Sequence, residues 1–322
     1  MTVDFDREIR EMFKKNISLC RYADKHRNRL ASLGLYSHSR HCPEFCFGDG
    51  PQGLTVLRKM LSDEQSFENP LFHLLFKAFA YGEYRFVRTF VPQNSNEERL
   101  TGHLISELAG SLTIAEAAFL AKSAQLYGEP SRLEFHYADM SSNLMERDTG
   151  ADFALILHVN LPDRPESALV AVCQAKKLYR DGRALAVDSK QLDDLTRWAD
   201  RAAYYCLYDM DPKRLWAPIM VPCGEIKRRA ELGPGDLKPE NVLSCSDYVP
   251  VSVFLIFNML VEQQAGRAFE SLWAAAEFVT GGRQKLEKGH RSPSRVLLVS
   301  IGGATGLGDL RDFHGLFSSP EQ

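Results

Sequence analysis

The chain has 322 residues, of which 44% are hydrophobic and 25% charged, enough to bury a core as one large domain or two modest ones. A formal net charge of −3 excludes a wholly basic, histone-like binder of nucleic acid but leaves room for a local basic groove. The longest apolar run, 12 residues from Val249 to Leu260, falls short of the roughly 18 that a membrane span needs, and seven cysteines without a repeating spacing do not make a disulfide framework.

The first residues, Met1-Thr-Val-Asp-Phe-Asp, are acidic and polar and do not read as a signal peptide. With the cysteine usage, this points to a reducing, cytoplasmic compartment without membrane attachment. Asp4 to Lys25 and Gln52 to Met60 carry apolar residues at helical spacing. So does Pro70 to Val91, which is rich in aromatics: Phe72, Phe76, Phe79, Tyr81, Tyr84, Phe86 and Phe90. Helix packing is the plain reading of that stripe. Pro92 to Glu98 is a polar, turn-forming break, so a helical N-terminal domain (1–92), for assembly or sensing, is expected to precede a catalytic domain (93–322).

Glu97 to Ala109 and Thr113 to Tyr127 then read as two helices parted at Gly110-Ser111, with Thr113 and Glu116 as a capping box. Arg132 to Ala138 alternates like a strand, Asp152 to Asn160 and Ala168 to Lys176 read as a second and a third, and Leu161 to Ser167 forms a hairpin loop between the last two. Ser189 to Tyr205 returns to helix, with Ala202 to Tyr208 able to open another strand. Cys223 to Cys245 reads as a polar surface insertion or long loop. Val249 to Phe257 is buried strand or helix, Gln263 to Val279 a helix capped by Gly281-Gly282, and Arg295 to Ile301 a last strand. A mixed α/β fold follows, with helices flanking the sheet and a helical extension ahead of it.

The chemistry concentrates between residues 149 and 177. Asp152 opens one strand, and a Gln174-Ala-Lys176 triplet closes the next, 22 residues on. In a hairpin these positions meet at one end of the sheet, and alternation turns Gln174 and Lys176 to one face with Ala175 on the other. A carboxylate, an amide oxygen and an ammonium side by side suit phosphodiester hydrolysis. Asp152 is a hard oxygen ligand for Mg²⁺ (or Mn²⁺), Gln174 offers a carbonyl oxygen, and Lys176 can orient the attacking water or offset charge in the transition state. One carboxylate holds Mg²⁺ poorly. A helix carboxylate, Glu107, is the first choice for the second ligand, and Glu146, six residues before Asp152, the alternative.

Each residue also has a plainer account. Asp152 can cap a turn, Lys176-Lys177 can be a solvated strand end, and a helix glutamate such as Glu107 is usually solvated. Gln174 at the end of Val170-Ala-Val-Cys173 is harder to dismiss, because a buried amide needs partners. His38, His41, Cys42 and Cys46 lack the paired spacing of a zinc site, so free thiols are the expectation there. Gly302 to Gly308 is glycine-rich after a strand but lacks the Lys-Ser/Thr of a phosphate loop. Two basic clusters, Lys213, Arg214, Lys227 to Arg229 and Lys238, and then Lys285, Lys288, His290, Arg291 and Arg295, read as solvated surface with a DNA backbone as the other possibility.

The helix glutamate, the Asp in Thr149-Gly-Ala-Asp152 and the Gln174-Ala-Lys176 triplet resemble the PD-(D/E)xK nuclease superfamily in its Mrr-like variant with Gln for the second acid. The resemblance covers roughly residues 97 to 210, including the Lys190 to Arg197 helix and the Tyr204 to Tyr208 strand. It implies a restriction-endonuclease-like, Mg²⁺-dependent endonuclease acting on DNA, working as a homo-oligomer in bacterial anti-phage defence, with a possible partner protein of a defence system. A ribonuclease with the same site is one alternative, and a catalytically silent scaffold that keeps the fold is another.

Overall fold

In the structure, a computed structural model, residues 64, 67–139, 150–179, 181, 183–210, 217–242, 249–261, 263–280, 293 and 295–302 are described. Helix α1, Pro70–Thr89, begins where Asn69 accepts the Leu71 N–H at 2.9 Å and Pro70 needs no amide partner. Its buried stripe includes Phe72, Leu75, Phe76, Phe79 and Phe86, so most of the aromatic run is core. A short turn, Val91–Gln93, leads to α2, Glu97–Tyr127, capped by Asn96 through the Arg99 N–H.

Where two helices were expected, α2 runs unbroken for 31 residues to a left-handed Gly128. Gly110 is tolerated because it lies on the exposed side, and the Ser111 and Thr113 hydroxyls bond back to the carbonyls of Leu108 and Ala109 instead of capping a new start. Packing against α1 supplies the rest: a Cβ on Gly82 would stand 2.8 Å from the Glu107 carbonyl oxygen, so only glycine lets the two backbones come this close. By length and composition α2 is apolar enough to cross a membrane, but here Leu100, Leu104, Ile105, Leu108 and Leu112 are buried in the core.

The strands are β1 (Arg132–Asp139), β2 (Phe153–Asn160), β3 (Ser167–Leu178), β4 (Ala203–Asp209), β5 (Ile219–Pro222), β6 (Val249–Pro250), β7 (Arg267–Phe269) and β8 (Arg295–Gly302). They form one mixed sheet in the order β1-β8-β2-β3-β4-β5-β6, with β7 added along the early part of β3. Neighbours pair antiparallel except β2 with β8 and β3 with β4, which are parallel. Among the described residues the remaining helices of more than one or two turns are α3 (Ser189–Ala199), α4 (Cys223–Leu232), α5 (Val251–Val261, mostly wide π-type turns) and α6 (Leu272–Thr280).

Alternation sorts the sheet into two faces. Tyr204, Cys206 and Tyr208 of β4 point toward α1, α2 and α5: Tyr208 bonds Thr101 at 2.8 Å, and its ring lies 5.6 Å from Phe86, while Tyr204 meets Phe254 edge-on. The opposite face is covered by α3, α4 and α6, with Trp198 stacked on Phe278. The protein is thus an α/β structure with helices on both sides of an open mixed sheet. The expected boundary near residue 92 falls on the Val91–Gln93 turn, and α1 ahead of it shares one buried cluster with the sheet.

Two other expectations gave way. The polar stretch after Cys223 is helix α4, whose Cys223, Ile226 and Arg229 face inward, with Arg229 held by Glu225 at 3.0 Å. The long helix expected over 263–279 is only Leu272–Thr280, because Arg267–Phe269 pairs with β3 as a strand. Of the further calls, Asp4 to Lys25, Gln52 to Met60, the His38–Cys46 group and Gly281-Gly282 lie outside the described residues, as do Lys213, Arg214, Lys285, Lys288, His290, Arg291 and the loop after Gly302.

Candidate active site at the open end of the β2–β3 hairpin

The β2–β3 register pairs Phe153 with Cys173, which sets Asp152 beside Gln174 at the strand ends. The Asp152 N–H donates to the Cys173 carbonyl at 2.9 Å, prolonging the ladder by one residue. One Asp152 carboxylate oxygen, Oδ2, accepts both the Gln174 Nε2 and the Ala175 backbone N–H, each at 2.7 Å. The carboxylate is therefore locked by two donors, one of them a rigid backbone amide. Gly150, with φ +68°, lets the chain just before Asp152 pass close to α3: a Cβ there would lie 2.5 Å from the Gln191 carbonyl oxygen.

Gln174 is only 3% exposed. Its Nε2 serves Asp152, which turns Oε1 away into a buried position with no hydrogen-bond partner among the described residues. Leaving a buried acceptor unsatisfied costs about 1–3 kcal/mol. A protein sustains that cost most readily where a ligand completes the site.

Lys176, two residues on and on the same face, is 16% exposed at its side chain and reaches Glu97 Oε2 at 3.3 Å. The other Glu97 oxygen accepts the Lys177 N–H at 3.0 Å, and Lys177 Nζ reaches Asn94 Oδ1 at 3.1 Å. Glu97 is the first residue of α2, where the unpaired N–H groups and the helix dipole favour a carboxylate. The start of α2 is thus pinned to the end of β3 through Glu97.

Asp152, Gln174 and Lys176 come together as expected from the sequence. Glu107 does not join them. It sits ten residues along α2 from Glu97, about 15 Å at 1.5 Å per residue, and pairs with Arg85 of α1 at 2.9 Å. The helix carboxylate beside Lys176 is instead Glu97, and the acid-rich first turn after the Asn96 cap was the available signal. Glu146 lies outside the described residues. The Lys227–Arg229 cluster is satisfied internally: Lys227 pairs with Asp193, and Arg228 and Arg229 both pair with Glu225. Arg295 is buried and pairs with Glu98.

Asp152, the Gln174 Oε1 and Glu97 supply hard oxygen donors of the kind Mg²⁺ accepts. Among the described residues no group of three or more His, Cys, Asp or Glu side chains gathers for a metal. A cation here would rest on few protein ligands, completed by water and substrate oxygens, as Mg²⁺ commonly is. The nearby thiols offer no alternative nucleophile, because burial pushes Cys173, Cys206 and Cys223 well up from the ordinary thiol range. Burial likewise raises the Tyr205 hydroxyl, with the charges of Cys223 and Asp152 adding to the effect.

A second polar cluster lies near the far end of β2. His158 Nδ1 is 2.8 Å from the Ser300 hydroxyl on β8, and its Nε2 is 3.2 Å from Glu166 Oε1. Burial lowers the His158 pKa, and Glu166 opposes that shift.

Comparison with known proteins gives no matching family model, no matching curated protein and no matching solved structure.

Proposed function

We propose that the chain is a metal-dependent nuclease with a restriction-endonuclease-like core, hydrolysing DNA phosphodiester bonds at the open end of the β2–β3 hairpin. The observation that carries this reading is the Asp152–Gln174–Lys176 constellation, with a carboxylate fixed by two donors and an amide oxygen turned into a buried position without a partner. Asp152 and Gln174 Oε1, with Glu97 on the far side of Lys176, would hold Mg²⁺ or Mn²⁺. Such an ion supplies Lewis acidity at the phosphoryl oxygens and lowers the pKa of a bound water.

The chain's own groups do the rest. The Ala175 amide and the Gln174 side chain hold Asp152 in one orientation, so no rotamer search precedes binding. Lys176 presents a positive charge to the phosphate being attacked, where it offsets developing negative charge and orients the water. Glu97 restrains the Lys176 side chain and ties its position to α2. Acting as a homodimer, the protein would bring two such sites to two strands.

The test is cleavage of plasmid DNA and of RNA by the purified full chain with Mg²⁺ or Mn²⁺, with EDTA and Lys176→Ala as controls. Metal-dependent cutting of DNA that the substitution abolishes is the expected result. Cutting of RNA alone keeps the site and moves the substrate. A folded protein that cuts neither, and whose thermal midpoint ignores divalent ions, leaves the silent scaffold as the better account.

A further inference from the structure

The outward face of α1 is the part of the helix that core packing does not explain. Lys77, Tyr81, Tyr84 and Arg88 fall at intervals of four, three and four residues, a single stripe within about 60° of the helix circumference and about 16 Å long. Tyr81 and Tyr84 are 48% and 55% exposed, and Lys77, Arg85 and Arg88 are exposed beside them. The two rings are held by the cations. The Arg88 guanidinium donates to the Tyr84 hydroxyl at 3.0 Å, and the Arg85 guanidinium lies 5.9 Å from the centre of the Tyr81 ring.

The charges that α1 itself presents on this face have one sign. The only acid in α1 is Glu83, which is buried and turned inward to Ser252. Arg85 is neutralised in part by Glu107, and among the described residues Lys77 and Arg88 pair with no acid. Exposed tyrosines alone are ordinary on a protein surface. Two of them in register, alternating with cations and without an exposed acid on the helix, form a stacking platform with phosphate counter-charges. The stripe also leads toward the candidate site: α1 ends at Thr89, the Val91–Gln93 turn follows, and Asn94 then meets Lys177 next to Lys176.

We propose that the Lys77–Tyr81–Tyr84–Arg88 stripe of α1 binds single-stranded nucleic acid, stacking bases on the two tyrosines and holding the backbone with the cations, as the path by which a strand enters the site. The inference rests on the nuclease reading for its purpose but not for its test. A duplex keeps its bases stacked inside and offers the rings nothing, so the stripe discriminates by strandedness. It does not distinguish DNA from RNA, since either base has a π-face.

The experiment uses the full chain carrying Lys176→Ala, in EDTA, so that no cleavage intrudes. Fluorescence anisotropy measures binding of labelled oligo-dT, oligo-rU and a duplex of equal length across a salt series. Expected are tighter binding of one or both single strands than of duplex, and weakening by about tenfold or more in Tyr81→Ala/Tyr84→Ala. Near-full retention is expected in Tyr81→Phe/Tyr84→Phe, which keeps the rings. Lys77→Gln/Arg88→Gln should lower the steepness of the salt dependence by about one to two phosphate contacts. Equal binding by the alanine variant and the parent overturns the proposal, as does duplex binding that matches single-strand binding. So does tyrosine-dependent binding to anionic lipid vesicles without binding to either oligonucleotide. If the parent shows no preference for single strands while the wild-type chain with Mg²⁺ cleaves, the stripe alone is refuted; if the parent binds single strands through the tyrosines while the wild-type chain with Mg²⁺ cuts nothing, the nuclease reading alone is refuted.

Discussion

Strand β2 carries a polar cluster near each end, and the two differ in one respect. At its start, Asp152 and Gln174 satisfy each other, yet the Gln174 Oε1 is left buried without a partner among the described residues. Near its other end, six residues and about 20 Å away at strand spacing, both nitrogens of His158 are engaged, one by Ser300 and one by Glu166. A Ser, a His and a Glu in contact invite comparison with a hydrolytic triad. The His158 cluster is nevertheless closed, with Ser300 buried in mid-sheet and each ring nitrogen already used. Closed polar clusters hold a sheet together; an open one has capacity for a ligand.

That difference breaks if the two clusters respond alike to substitution. Lys176→Ala should give the largest effect: cleavage falling by about 10²-fold or more with the thermal midpoint nearly unchanged. Equal activity in the variant would leave the open cluster without a catalytic role. Glu97→Gln should cost about 10- to 100-fold in activity, because Lys176 loses its restraint and the start of α2 its anchor. Glu107→Gln removes only a half-exposed pair with Arg85 and should leave cleavage alone, with stability moving by less than about 1 kcal/mol. A Glu107 variant that loses activity while the Glu97 variant keeps it would reverse the assignment of the helix carboxylate.

At the closed end, His158→Leu strands the Ser300 hydroxyl in the core and should cost about 1–3 kcal/mol in a urea titration while specific activity survives. A collapse of activity at full stability would mean that this cluster is also functional.

A smaller and more specific effect sharpens the same contrast through pH. Glu83 is a closed site as well: its carboxylate accepts the Ser252 N–H at 2.7 Å and the Ser252 hydroxyl at 2.5 Å at the start of α5. Burial nevertheless dominates and pushes its pKa from 4.5 up to about 7. Between those values the folded chain keeps a proton that the unfolded chain releases, so stability falls as pH rises and levels off above about 7. The loss is on the order of 3 kcal/mol. Glu83→Gln should flatten that dependence between pH 5 and 8; an unchanged slope would show that other groups set it.

Much of the sheet was legible because its signals are local. Alternation in 132–138 marks an edge strand, the apolar runs 153–160 and 168–176 mark strands buried on both faces, and a short loop between β2 and β3 pairs them antiparallel, so that Asp152 meets Gln174. The helices were less legible. Gly110 looked like a break, but one glycine costs a helix only about 1 kcal/mol, and packing of α2 on α1 outweighs that. Residues 263–271 carry helical spacing, yet β3 had a free edge ahead of β4 that Arg267–Phe269 could fill. In α4, three inward residues in ten make too thin an apolar stripe to stand out from a polar segment.

The sequence by itself determined the α/β class, the β2–β3 hairpin and the adjacency of Asp152, Gln174 and Lys176, because alternation and a tight connection act over a few residues. Only the tertiary structure decided which helix carboxylate reaches them. That depends on where α2 starts relative to the end of β3, a contact between residues 97 and 176 that no local periodicity encodes. It also decided that Tyr81 and Tyr84 face solvent while Phe79 and Phe86 do not, because a stripe of aromatics shows that a helix has a buried side but not how wide that side is. The width is set by what packs against it, and for α1 the partners are α2, α5 and β4.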